Sequence, residues 1–249
     1  MSNTMFPIAH IHTDFPEKFG IPRQPGVVAD LRGKIVFEPE YRNSDMIRGL
    51  EDFSHLWIIW EFSENLDADG NAKWSPTVRP PRLGGNTRLG VFATRSPFRP
   101  NPIGLSVVAI DRVEFNTPEG PVIYVKGADM VDGTPIYDIK PYIAYADSIP
   151  DAKGGFTDSM EYKTLKVVWN TLSEKQDDVI IGNDEQDKYL PEDIRSTLEK
   201  ILANDPRPHY QNDPERIYGM SYAGYNVRFK VVDDELTVVG IEVKKQEKS

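Results

Sequence analysis

Residues 55–62 read HLWIIWEF, and a strand of that composition has no face to offer water. Alternation puts Leu56, Ile58, Trp60 and Phe62 on one side and His55, Trp57, Ile59 and Glu61 on the other, with apolar side chains dominating both. Such a strand must be covered twice, as in a closed barrel whose outer wall is itself partly packed. Around it the first 150 residues read as short strands at 6–12, 33–37, 90–95, 103–115 and 122–128, punctuated by turn residues, with one short helical turn at 43–49. The alternating helices of a doubly wound α/β sheet are missing. The predicted fold class is therefore mainly β, with a single-sheet β-barrel N-terminal domain over residues 1–150.

PDAKGG at 150–155 reads as a linker, and residues 151–249 as a smaller α+β C-terminal domain. That domain has a predicted strand at 165–169 and a predicted helix at 191–203, where Pro191 takes a first-turn position and Glu192 and Asp193 favour the N-terminal dipole. It closes with a hairpin turning at Asp233 and Asp234. Only the last residues, KKQEKS, read as disordered.

The chain carries 39 acidic against 29 basic side chains, a formal net charge of −10, yet its charge is sorted. Between Trp74 and Pro100 the only charges are Arg79, Arg82, Arg88, Arg95 and Arg99, which leaves the remainder of the chain at −15. A solvated surface interleaves signs, so a one-sign cluster among Gly, Pro and Asn points to an anionic ligand. The acidic body argues against a non-specific nucleic-acid coat and permits one local basic site.

Absent cysteine removes disulfides, thiolate zinc sites, iron–sulfur clusters and a cysteine nucleophile. Four histidines remain, and the pair His10 and His12 is read as ordinary strand residues, with no metal expected. No apolar run approaches a membrane span and MSNTMFPIAH lacks the pattern of a secretory signal, so a cytoplasmic location is expected. The sequence has no dinucleotide fingerprint, P-loop or nucleophile elbow.

What chemistry there is lies in short, stiff segments at strand ends. PRQPG at 22–26 presents Arg23 and Gln24 between two prolines, either as fixed donors or as a solvated turn. Gly84, Gly85 and Asn86 permit close ligand approach, and ATRSPFRPNPIG places Arg95 at a strand end before a proline-stiffened loop. In DMVDGTPIYDIKPY the turn at Asp132-Gly133-Thr134-Pro135 reads as a loop between barrel elements. The crowding of Asp129, Asp132 and Asp138 is easier to explain if one of them meets a cation or hydroxyls.

Taken together, PRQPG, RGLEDFSHLWI, PTVRPPRLGGNTRLGVFATRSPFRPNPIGLS, DMVDGTPIYDIKPY, DPRPHY and YNVRFKV resemble, in that order, the TsaA-like family of tRNA methyltransferases across essentially the whole chain. The resemblance implies an S-adenosylmethionine-dependent methyltransferase on a single-sheet barrel, working as a homodimer. Its implied substrate is the exocyclic N6 nitrogen of threonylcarbamoyladenosine, next to the anticodon of threonine tRNAs. The cofactor contacts it implies fall on Pro22, Arg23 and Gln24, on Phe62 and Ser63, on Arg95, on Leu105, and on Asp132, Gly133, Thr134 and Pro135. Phe62 and Leu105 suit the walls, Arg23 or Arg95 the cofactor carboxylate, and Asp132 the ribose, ammonium or sulfonium. Ser63 stands where the family often has His, so its contact is expected through the backbone.

An acceptor N–H flanked by adenine and a carbonyl is a weak nucleophile, and a base would assist its attack. Asp129, Asp138, Tyr137 and His55 are the candidates. Arg79, Arg82, Arg88 and Arg99 are expected to serve tRNA phosphates or the threonyl carboxylate. In the C-terminal domain Arg207 and Arg228 lie near Tyr218, Tyr222, Tyr225 and Phe229, which read either as stacking residues for anticodon-loop bases or as the buried face of a hairpin. A non-catalytic RNA-binding barrel and a small-metabolite methyltransferase remain the alternatives.

Overall fold

The computed structural model describes residues 5–80, 83, 87–169, 190–207 and 213–244. Six strands form a closed barrel: β1 (Ala9–Thr13), β2 (Arg32–Phe37), β3 (His55–Glu61), β6 (Ile103–Thr117), β7 (Gly120–Lys126) and β8 (Thr134–Pro141). The order around the barrel is β1-β2-β7-β6-β3-β8, and pairing of Ala9 with Ile136 closes it. Every neighbouring pair is antiparallel. Two short strands, β4 (Thr77–Val78) and β5 (Leu89–Gly90), form a separate ribbon.

Parity on β3 runs as its sequence demands. Leu56, Ile58 and Trp60 are buried in the barrel core with Ile11, Ile35, Ile123 and Ile136, while Trp57, Ile59 and Glu61 are half-buried on the outer wall. Each buried aliphatic contributes about 1.5–3 kcal/mol of transfer free energy, so the barrel interior supplies most of what holds this sheet closed. Trp60 is large for that interior. It fits because its cross-strand partner on β6 is Gly104, and a Cβ there would fall inside the indole's own envelope.

Two sequence expectations differ here. Residues 90–95 do not form one strand: β5 stops at Gly90, and Val91–Ala93 form a 3-10 turn whose first N–H is taken by Pro76 O at 3.0 Å. Arg95 thus lies in a loop rather than at a strand end. Conversely, 134–141 is a full barrel strand although it begins Thr134-Pro135 and ends at Pro141; prolines at strand ends cost few ladder bonds.

The chain divides into two compact units, one comprising Met1–Thr13 and Arg23–Glu161, the other Asp14–Pro22 and Tyr162–Ser249. The second unit thus takes in a segment that sequence assigns to the barrel. Phe15 is buried with its ring 5.1 Å from that of Tyr222, and Ala223 N donates to Asp14 O at 2.9 Å. Gly20, at φ 98°, comes so close to Met220 that a Cβ would stand 2.8 Å from its Cε.

After α1 (Ala144–Asp147), a single turn in the first unit, come β9 (Lys166–Trp169), α2 (Glu192–Ala203), β10 (Tyr218–Tyr222), β11 (Tyr225–Val232) and β12 (Glu235–Val243). The sheet order is β10-β11-β12-β9, with β9 parallel to β12. Leu198, Ile201 and Leu202 bury one stripe of α2, while Val227, Phe229, Leu236 and Val238 are buried in the sheet. No helix among the described residues is long and apolar enough to cross a membrane.

Candidate functional site

The barrel mouth where β3 ends carries the densest polar chemistry. Phe62 N donates to Pro102 O at 2.7 Å, and the Phe62 ring packs on Trp60 with centroids 4.3 Å apart. Ser63 then opens a 3-10 turn closed by Asn65 N donating to Phe62 O at 2.8 Å. Inside the wall, Trp60 Nε1 donates to Ser106 Oγ at 3.0 Å, and Ser106 Oγ donates to Asp129 Oδ1 at 2.7 Å. Burial pushes the Asp129 carboxyl up to about 6, against the pull of the Ser106 bond and of the Arg95 guanidinium. Arg95 in turn donates from Nη1 to Gln24 Oε1 at 2.6 Å. Gln24, Arg95, Phe62 and Asp129 thereby belong to one connected neighbourhood.

The turn before β8 is braced against β1. Asp132 Oδ1 accepts from Thr13 N at 3.1 Å and lies 3.1 Å from His12 Nδ1. Gly133, at φ 76°, donates from N to Ile11 O at 2.8 Å, and buried Thr134 bonds back to Val131 O through Oγ1 at 2.7 Å. Asp129, Asp132 and Asp138 are therefore not a crowded cluster in need of a cation. Each has its own partner, Asp138 taking Lys140 Nζ at 2.7 Å. His10 lies 2.7 Å from Glu38, and among the described residues no group of three or more His, Asp or Glu is placed to hold a metal ion.

The four candidate bases separate cleanly. The Asp129 carboxyl is largely buried against Ser106, under the influence of the Arg95 charge. Tyr137 donates to Glu61 Oε1 at 2.6 Å, and burial together with that carboxylate holds its phenol well above the ordinary range. Asp138 is opposite Ile59 on β3, paired with its lysine. His55 is exposed at the far end of β3, 2.9 Å from Ser54 Oγ, and six residues of strand put it about 20 Å from the Phe62 end. Leu105 is also displaced from the group: it follows Gly104 on β6, faces outward and is 54% exposed. Pro22 is buried and ends the Asp14–Pro22 segment of the second unit, while Arg23 and Gln24 begin the barrel's share.

Among the predicted tRNA contacts, Arg79 and Arg88 are exposed, Arg88 reaching Thr77 Oγ1 at 3.2 Å. Arg99 spends Nη1 on Thr94 O and Ser96 O, at 3.0 and 3.1 Å, and so braces its own loop. Arg82, with Gly84, Gly85, Asn86 and His209, lies outside the described residues. Arg207 is only 9% exposed and grips Asp205 through Nε and Nη2 at 2.9 and 3.0 Å, which suits a structural ion pair rather than a phosphate contact. Arg228 pairs with Glu242 at 2.6 Å on the exposed side of β11. Tyr218, Tyr222 and Phe229 are only 5%, 3% and 0% exposed, which suits the buried-hairpin-face reading of these three, while Tyr225 is half-buried.

Sequence reasoning did not place Trp60 and Ser106 beside Asp129. A lone serine in an apolar strand carries no signal, and its role follows only from closure of the barrel, which brings β6 alongside β3 and near Asp129.

A small closed barrel whose polar side chains converge on loops at one mouth, without a glycine-rich phosphate loop, defines a ligand-binding barrel outside the common nucleotide-binding folds. The chain belongs to the tRNA-methyltransferase O family: residues 10–148 match that family's N-terminal domain and residues 163–244 its C-terminal domain. It is 40% identical over 237 residues to the tRNA (adenine(37)-N6)-methyltransferase of Escherichia coli K12, covering 94% of this chain and 96% of that one. A Pseudomonas aeruginosa relative named for S-adenosylmethionine-dependent methyl transfer is 39% identical over 221 residues, 88% of this chain and 89% of its own. The crystal structure of TrmO from Pseudomonas aeruginosa matches with a TM-score of 0.69 at 31% identity, covering 97% of this chain and 99% of that one.

Proposed function

We propose that this chain transfers a methyl group from S-adenosylmethionine to N6 of the adenine at position 37 of tRNA. The observation that carries the reading is likeness along the whole chain, at 40% identity, to an enzyme named for that reaction. In its finer form the acceptor is N6 of threonylcarbamoyladenosine in threonine tRNAs, in the cytoplasm, with the threonyl carboxylate met by an exposed arginine such as Arg79 or Arg88.

The mouth fits the cofactor's chemistry. Arg95, steadied by Gln24, offers a guanidinium to the carboxylate of the amino-acid head; the Trp60 and Phe62 rings offer a wall; Asp132 offers an acceptor at a turn whose backbone is fixed by β1. Bound there, S-adenosylmethionine supplies a methyl group on a sulfonium, which needs alignment more than acid–base help. The chain's own contribution is orientation and a proton acceptor. Asp129 is the base: its carboxylate at neutral pH is held by Ser106, and its raised affinity for a proton suits it to take the one leaving N6.

Leu105 supports a homodimer. Its side chain leaves the barrel wall outward and is 54% exposed, an apolar surface that a second copy would cover. The barrel would then bind cofactor and the C-terminal domain would assist tRNA recognition.

The experiment is methyl transfer from methyl-labelled S-adenosylmethionine to tRNA taken from cells lacking the modification, followed by nucleoside analysis. Label on N6 of threonylcarbamoyladenosine is expected. Label on plain adenine overturns the finer reading, and no transfer to tRNA overturns the reading altogether.

A further inference from the structure

We propose that Trp74, Phe92 and Phe98 form a base-stacking face for unpaired nucleotides of an RNA loop, a proposal that rests on the tRNA reading and locates where the loop lies. The three side chains are 59%, 78% and 47% exposed. Scattered apolar residues on a surface need no explanation, but three large aromatics brought together by one small module do.

The module is rigidly built. Asn65, itself 7% exposed, donates from Nδ2 to Lys73 O and to Pro97 O, each at 2.8 Å, and so pins the residues beside Trp74 to those beside Phe98. Ser75 N donates to Phe98 O at 3.2 Å, and β4 pairs with β5 through Thr77 and Gly90. The Arg99 guanidinium, fixed by Thr94 O and Ser96 O, lies 6.0 Å from the centre of the Phe92 ring. Aromatics that stay exposed although their backbone is held are prepared for a partner, because little freedom remains to be lost on binding.

Charge identifies the partner. The window from Trp74 to Pro100 holds five arginines and no acid. Among the described residues Arg79, Arg88, Arg95 and Arg99 form no ion pair. Aromatics interleaved with arginines whose charge meets no carboxylate match a single-stranded polyanion with flat bases. A second copy docking through the same face would set arginine against arginine. Position agrees as well, because Asn65 belongs to the turn that leaves Phe62 at the barrel mouth. A nucleotide presented to Asp129 would leave its neighbours beside this face.

The test uses the full-length protein and an anticodon stem-loop RNA, with Trp74→Ala, Phe92→Ala and the conservative Phe92→Tyr. Stacking is worth about 1–3 kcal/mol per base, so each alanine should weaken binding by about tenfold, and Tyr should restore it. The slope of log affinity against log salt should stay at the wild-type value, whereas Arg79→Ala should reduce it. Affinity for S-adenosylhomocysteine should not change. Wild-type RNA affinity in both alanine variants overturns the proposal and leaves the methyltransferase reading intact. A changed sedimentation coefficient with unchanged RNA affinity also overturns it, by assigning the face to a second copy. Failure of the wild-type protein to bind or methylate tRNA removes both.

Discussion

Gly104 stands directly across the sheet from Trp60, and the indole fills the space that any other residue's Cβ would need. The ring is thereby held where its Nε1 meets Ser106. Gly104→Ala overpacks this spot, at a cost of about 1–3 kcal/mol. Thermal melts should show the loss, and turnover should fall further than the folded fraction because Ser106 and Asp129 move with the ring.

Asp129 should set the acid limb of the pH–rate profile. With its carboxyl at about 6, kcat/KM should rise with pH through that region and level off above it. The Ser106 bond lowers this pKa, so Ser106→Ala should move the limb to higher pH. Asp129→Asn should abolish the limb along with most of the rate.

The same group carries a stability prediction. The proton is held more tightly in the folded chain, at about 6, than at the ordinary 3.8. Its contribution to stability is therefore complete below 3.8 and is lost as pH rises through about 6. At 1.4 kcal/mol per unit, the desolvated carboxylate costs on the order of 3 kcal/mol above neutrality. Denaturant titrations should find Asp129→Asn more stable than wild type at pH 8 and nearly equal at pH 3.5.

Arg207 and Arg79 should behave oppositely. Breaking the buried Asp205–Arg207 pair costs about 2 kcal/mol, so Arg207→Ala should melt earlier yet bind tRNA normally when folded. Arg79→Ala should keep its melting point and lose tRNA affinity, which filter binding measures.

On the proposed homodimer, Leu105→Asp should separate the two copies without unfolding either, because the position is exposed on the barrel wall. Sedimentation should report monomers, and calorimetry a weakened response to S-adenosylhomocysteine. Dimers with unchanged cofactor affinity would remove Leu105 from the site.

The barrel was legible in the sequence because HLWIIWEF admits few other homes, and alternation alone places Leu56, Ile58 and Trp60 inside. β8 was not, since Asp132-Gly133-Thr134-Pro135 reads as a turn and the strand begins inside it, at Thr134. Arg95 and Gln24 were legible as residues but not as partners, because 71 positions separate them. Asp129 stood out among four candidates only when burial and the Ser106 hydroxyl distinguished it from three groups with other engagements. The Arg207–Asp205 pair was hidden for a related reason: a sequence shows that a charge exists and not whether it is already spent.

The Asp14–Pro22 segment has a consequence for how the chain is made. Phe15 leaves the ribosome well before Tyr222, its ring partner. Roughly two hundred residues must be synthesised before that pair closes, and the contact is slow to form for the same reason. Until then the Phe15 side chain, buried in the finished fold, lacks the ring that covers it.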